Sequence, residues 1–185
     1  MRIPCAWVSG LLLVIGLVSG PARAATPSTA VSWIQPGLLS ASTIQTRLLA
    51  CLARGDIVGA IAMYEAETGR VAPVWLRNLE VAYSAASQTA GRCQQVARIL
   101  HTAFTRLGQK PEYVAIRALE KREYMVFDMP NGKSPGITQN GYHVIVRVED
   151  MVYDAYTGPL GMKSADYLSR LHAEMGFAWK VVSEP

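Results

Sequence analysis

One cysteine, one histidine and one aspartate of this chain have the types and the order that thiol chemistry requires. Cys93 begins a predicted helix just after the break at Gly91, and a helix N-terminus lowers the pKa of a thiol placed there. His143 enters a predicted strand and could take and return protons, while Asp154 on the next strand could orient its imidazole. Together the three residues predict an activated thiol nucleophile.

The spacing of His143 and Asp154 allows both to lie on one face of a predicted hairpin. If Glu149 and Asp150 form its two-residue turn, Ile145 pairs with Asp154. His143 shares a face with Ile145, because alternate side chains of a strand point the same way. Diagonal neighbours on one face lie roughly 7–8 Å apart, so a His–Asp contact is within reach. The position of the cysteine relative to this pair stays open at this point.

Each of the three residues also has a purely structural interpretation. His143 could be a satisfied structural imidazole, Asp154 a turn residue, and Cys93 a small core side chain or half of a disulfide. Cys51 is the other cysteine beyond residue 24, and in an oxidising compartment two cysteines are a natural pair. A Cys51–Cys93 disulfide is therefore the main alternative to an activated thiol, because one sulfur cannot serve both purposes.

Other kinds of reactive site find little support in the sequence. His101 and His172 fall on the solvated sides of predicted helices, and no CxxC or HxxxH spacing suggests a metal. There is no GxSxG element for a serine nucleophile and no glycine loop for phosphate. We therefore expect neither a metal nor a cofactor.

Helices are predicted in the first part of the chain and strands in the second. Apolar residues recur at helical spacing up to residue 88, and a strongly amphipathic helix is predicted over residues 93–107. After Gly108, strands are predicted over residues 113–118, 123–128, 142–149, 151–155 and 177–182, with a helix over 163–175. This order predicts an α+β domain in which N-terminal helices pack on a small antiparallel sheet.

The first 24 residues have the three parts of a cleavable secretory signal. Arg2 precedes an apolar run from Ala6 to Val18, and an A-x-A sequence ends at Ala24. The run is shorter than the roughly 20 apolar residues of a membrane span, although an uncleaved anchor is the alternative. We expect export, to the periplasm or outside the cell, and no stable membrane insertion after cleavage.

The remaining chain has the size of one domain and a mild charge. Removal of residues 1–24 leaves 161 of the 185 residues, with 16 basic and 14 acidic side chains. We expect a loosely ordered leader over residues 25–42, then one compact domain made of a helical part (43–88) and the Cys/His/Asp part (89–185). Because no basic run is present, nucleic acid is not an expected partner.

Two segments of the C-terminal half resemble a known family. Residues 137–146 (ITQNGYHVIV) and 151–154 (MVYD) resemble the His and Asp strands of the second papain-fold toxin family of bacterial polymorphic toxins. Residues 91–97 (GRCQQVA) look like its cysteine motif, in which the cysteine opens a helix. The resemblance extends over about residues 89–182, and the His-to-Asp segment is its specific part.

The resemblance implies a papain-like fold and a cysteine hydrolase, either a peptidase or an amidase/deamidase, acting as a secreted toxin or effector. By this resemblance Cys93 is the nucleophile, His143 the general base and acid, and Asp154 the orienting group. Gln88 is a candidate oxyanion donor, because papain relatives often place a glutamine shortly before the nucleophile. The expected partners are a protein or peptide substrate and an immunity or adaptor protein.

Two other functions remain open from the sequence. A non-catalytic periplasmic binding or adaptor domain would join Cys51 to Cys93 and use the helices of residues 41–87 as its interaction surface. A papain-fold relative that has lost its activity would keep only the scaffold.

Overall fold

A computed structural model describes residues 41–120 and 124–185. The predicted signal over residues 1–24 and nearly all of the predicted leader (25–42) lie outside the described residues. Within the described part, no helix is both long and apolar enough to cross a membrane.

The chain forms helices first and strands later, and the predicted α+β class is confirmed. Four helices come first: α1 (Ala41–Leu52), α2 (Ile57–Thr68), α3 (Val74–Ala82) and α4 (Cys93–Arg106), with a 3₁₀ turn at Ala85–Ser87. The remaining elements are β1 (Glu112–Ala118), β2 (Met125–Phe127), β3 (Gly136–Thr138), β4 (Tyr142–Val148), β5 (Met151–Tyr153), β6 (Met162–Lys163), α5 (Ser164–Ser169), β7 (Leu171–His172) and β8 (Phe177–Val182).

The strands form two sheets, and every pairing in the described residues is antiparallel. The larger sheet has the order β6-β5-β4-β1-β8, and the smaller one has the order β3-β2-β7. Strand β4 lies at the centre of the larger sheet and is buried on both faces from His143 to Val146. The side chains of these four residues are therefore shielded from water whichever face they point to.

Helix α4 packs on β4 and β1 and carries Cys93 at its first position. Its inward face consists of Val96, Ala97, Leu100 and Ala103, which are all almost fully buried. These residues recur at helical spacing, so their burial holds the helix in one orientation on the sheet. The orientation fixes where the N-terminal turn, and with it the cysteine, meets the sheet.

The hairpin of β4 and β5 has the predicted register. Val148 pairs with Met151, Arg147 with Val152 and Val146 with Tyr153, so residues 149 and 150 form the turn. Glu149 has a φ of 54°, the left-handed conformation that two-residue hairpin turns need. Strand β5 ends at Tyr153, and the aspartate therefore follows directly after the strand.

The helix predicted over residues 163–175 is wrong in extent. Helix α5 spans only Ser164–Ser169, and the chain then forms the two-residue strand β7. There Leu171 pairs with Phe127 and His172 with Val126 of β2. Apolar residues at 167, 168 and 171 suit a helix equally well, so only the contact with the second sheet ends α5 at this point.

The packing of α4 gives a direct stability prediction. Leu100 is fully buried, and Leu100→Ala should lower the free energy of unfolding by about 2–5 kcal/mol because it leaves a cavity. The matched control is Leu119→Ala, since Leu119 is 66% exposed and should tolerate the same change almost without cost. Urea denaturation of the full chain measures both variants, and equal destabilisation would contradict the described packing of α4.

Candidate active site

The imidazole of His143 and the carboxylate of Asp154 form a buried pair. Nε2 of His143 lies 3.1 Å from Oδ2 of Asp154, and the side chains are only 1% and 3% exposed. The two residues are eleven positions apart in sequence, and the β4–β5 register brings them to the same face. The contact that the hairpin spacing permits is thus present in the structure.

Three further donors hold the carboxylate of Asp154 in place. The backbone N–H groups of Tyr156 and Thr157 both donate to Oδ1 at 2.8 Å, and the hydroxyl of Tyr167 donates to Oδ2 at 2.8 Å. An ionised carboxylate only accepts hydrogen bonds, so this arrangement suits the charged form. The proton of the pair then resides on Nε2 of His143, which leaves Nδ1 for chemistry.

The thiol of Cys93 lies beside the free side of the imidazole. Nδ1 of His143 has no hydrogen-bond partner among the described residues, although the atom is buried. The sulfur is near enough to Nδ1 for His143 to affect its pKa, yet no formed Sγ–Nδ1 hydrogen bond accounts for this nitrogen. The two groups are placed for proton transfer without being locked together.

A break in the sheet gives the sulfur its access to β4. Two steps beyond the pair Val146–Tyr153, the register would place Val144 opposite Ala155, but β5 has already ended. The backbone N–H of Val144 instead lies near enough to the sulfur of Cys93 to lower the pKa of the thiol, and the carbonyl of Ala155 accepts from Nε2 of Gln88 at 3.0 Å. In place of the missing pair Val144–Ala155, these two backbone groups therefore face Cys93 and Gln88.

Electrostatics favour a charged thiol and a charged imidazole together. Burial disfavours the thiolate, but the nearby imidazole of His143 and the nearby N–H groups of Val144 and Gln94 outweigh burial and lower the pKa of Cys93. Burial likewise opposes the imidazolium, yet Asp154 and Cys93 raise the pKa of His143 to about 9. Both shifts favour a thiolate–imidazolium pair over a neutral thiol beside a neutral imidazole.

A cleft of about 400 Å³ adjoins the site. It is lined by Gln88, Met129, Lys133, Ser134, Pro135 and Tyr156. The candidate oxyanion donor Gln88 lies on this cleft, with its amide held by Ala155 as described above. One of its two N–H groups is used in that bond, so the other is available to a ligand.

The structure corrects the alternative prediction of a disulfide. Cys51 and Cys93 are both free thiols in the described part of the chain. Cys51 is buried in α1, where the guanidinium of Arg54 lies 3.6 Å from its sulfur, while Cys93 is turned to His143 and β4. The two sulfurs have different neighbours and form no disulfide.

The other histidines lie outside the site. His101 is half-buried on α4 and stacks on Tyr113, rather than being simply solvated. His172 is exposed on β7, not on a helix, and its Nε2 lies 2.8 Å from Oδ2 of Asp128. Over residues 41–120 and 124–185, no group of histidine, cysteine or acidic side chains could hold a metal ion.

Sequence reasoning missed two tyrosines of the site. In the sequence, Tyr167 has the pattern of a core residue, and it is fully buried. Only the packing of α5 in the structure shows that its hydroxyl reaches Asp154. Tyr156 is almost fully buried, borders the cleft and lies with its ring centroid 6.3 Å from that of His143. Its place two residues after the aspartate was the available signal, because a turn there directs the chain back over the histidine.

Comparison of this chain with family models, with curated proteins and with solved structures finds no match.

The electrostatics of Cys93 predict rapid alkylation below the usual pH range of thiols. Cys93 should react with iodoacetamide near neutral pH, and His143→Gln should slow this reaction and move its midpoint to higher pH. Mass spectrometry of each cysteine-containing peptide after timed labelling measures the effect. Cys51 is the internal control, because its buried thiol should react only after denaturation. An unchanged Cys93 profile in the His143 variant would contradict the contact.

The pair of His143 and Asp154 predicts a high imidazole pKa. Asp154→Asn keeps an oxygen for the N–H groups of Tyr156 and Thr157 but removes the negative charge, so the pKa of His143 should fall from about 9 toward its ordinary value of 6.5. NMR titration of the imidazole signals of both proteins tests this. The matched control is Asp128→Asn at the exposed His172 contact, which should leave the His143 titration unchanged.

Proposed function

We propose that this protein is an exported cysteine hydrolase with a papain-like site, which cleaves or deamidates a protein or peptide substrate. The observation that carries the proposal is the buried imidazole of His143, bound to Asp154 on one nitrogen and unpartnered within the described residues on the other, beside the Cys93 thiol. A structural histidine in a core would be expected to use both nitrogens. Here one nitrogen is left free where a nucleophile lies.

The proposed reaction is acyl transfer from an amide to the thiol and then to water. The thiolate of Cys93 attacks the carbonyl carbon, and the electron pair of the C=O bond moves onto the oxygen. When the tetrahedral intermediate collapses, the C–N bond breaks and the imidazolium of His143 gives its proton to the leaving nitrogen. The neutral imidazole then takes a proton from a water molecule as the water oxygen attacks the thioester carbon. When this second intermediate collapses, the C–S bond breaks, the acid is released and Cys93 leaves as a thiolate beside the imidazolium.

The fold is consistent with this assignment. A helix that begins at the cysteine packs on the strand that carries the histidine, and the aspartate follows directly after the neighbouring strand β5. This arrangement agrees with the resemblance of residues 89–182 to the papain-fold toxins. Export follows from the signal predicted over residues 1–24, and a toxin or effector role would bring an immunity or adaptor protein as a second partner.

The proposal predicts turnover of a simple activated ester by Cys93. p-Nitrophenyl acetate should be hydrolysed repeatedly, and acetyl-Cys93 should be trapped by acid quenching during the reaction. Cys93→Ala and His143→Gln should each reduce the rate by at least about 100-fold, because the nucleophile or its proton carrier is lost.

The matched control is Cys51→Ala, which removes the other thiol and should leave turnover unchanged. The rate should rise with pH as the thiolate of Cys93 forms. Because the pKa of Cys93 is lowered, this rise should occur at lower pH than for an ordinary thiol. With a peptide amide the rate should fall again above about pH 9, where His143 loses the proton that the leaving nitrogen needs. Turnover that survives in Cys93→Ala would overturn the proposal.

A further inference from the structure

The hydroxyl of Tyr156 is a buried donor without a partner. Its oxygen is shielded from water and makes no hydrogen bond to any described residue, and the whole side chain is 5% exposed. A buried hydroxyl without a hydrogen-bond partner destabilises the folded state, because it has lost its bonds to water. Phenylalanine would fill the same space without an unpaired polar group, so contacts within the described chain do not explain the hydroxyl.

The surroundings of Tyr156 place it next to the candidate active site. The tyrosine borders the cleft, together with Gln88, and its ring lies beside the ring of His143. Burial and the charges of Asp154 and Cys93 raise the pKa of Tyr156 to about 12. The hydroxyl therefore keeps its proton at neutral pH and is sensitive to negative charge that develops at the cysteine.

We propose that the Tyr156 hydroxyl donates a hydrogen bond to the carbonyl oxygen of the substrate as Cys93 attacks, and so acts as an oxyanion donor. This inference rests on the proposed function. As the Sγ–C bond forms, the carbonyl electron pair moves onto oxygen, and a fixed donor stabilises that charge without reorganisation. As the intermediate collapses, the C=O bond reforms, the leaving group departs with its electron pair, and the hydroxyl keeps its own proton.

Tyr156 would complement the other candidate donors of the site. The backbone N–H of Cys93 lies in the first turn of α4, where helix N–H groups have no intrahelical acceptor. Gln88 is tied by one N–H to the carbonyl of Ala155. Tyr156 follows Ala155 directly. The side chain of Tyr156 and the amide of Gln88, which is bound to Ala155, therefore reach the cleft from the same turn.

Two reactions of the same thiol separate an oxyanion donor from a structural residue. Attack on p-nitrophenyl acetate forms an oxyanion, whereas alkylation by iodoacetamide takes place at a saturated carbon and forms none. Tyr156→Phe should therefore slow acetylation of Cys93 by about 100-fold and leave its alkylation rate unchanged. Its free energy of unfolding should not fall, because the lost hydroxyl has no internal partner.

The matched control is Tyr153→Phe. Tyr153 lines a separate apolar cavity with Phe104 and Val148, and the loss of its hydroxyl should change neither rate. Equal acetylation rates of the parent and Tyr156→Phe, or an equal loss of acetylation and alkylation, would overturn the role of Tyr156 and leave the hydrolase proposal standing. Absence of Cys93 acetylation in the parent chain would overturn both.

Discussion

The burial of one carboxylate and one imidazole constrains the C-terminal half of this protein. Asp154 and His143 are almost completely removed from water, and such groups are costly to bury unless each polar atom is paired. The carboxylate meets this requirement with four donors, which come from β4, from the turn after β5 and from α5. The short helix α5 is thus held by a polar bond of Tyr167 as well as by apolar packing.

The same constraint explains why β5 is short. The turn that brings two backbone N–H groups to Asp154 takes the chain away from β4 directly after Tyr153. The N–H of Val144 then loses its ladder partner at a point where the N-terminus of α4 arrives. The turn after β5 thus has two effects: it brings N–H donors to Asp154, and it leaves the N–H of Val144 facing the sulfur of Cys93.

Local patterns in the sequence predicted the parts of the site that depend on neighbours along the chain. The start of α4 at Cys93 followed from its apolar periodicity, and the His143–Asp154 contact followed from a two-residue hairpin turn. The approach of Cys93 to His143 depends on how α4 packs on β4, fifty residues away, and spacing contains no information on that. The end of α5 was missed for a related reason, since the competing strand β7 is stabilised only by pairing with β2.

Among the described residues, three buried side-chain atoms lack a hydrogen-bond partner: Glu67 Oε2, His143 Nδ1 and Tyr156 Oη. The glutamate lies on α2, outside the candidate site, and pairs through its other oxygen with Arg47. The other two lie around one thiol, in a site whose remaining polar groups are well paired. A scaffold that had lost its activity would gain stability by replacing such groups with apolar ones. Their presence together supports the proposed site, in which a bound substrate would supply an acceptor for each of them in turn.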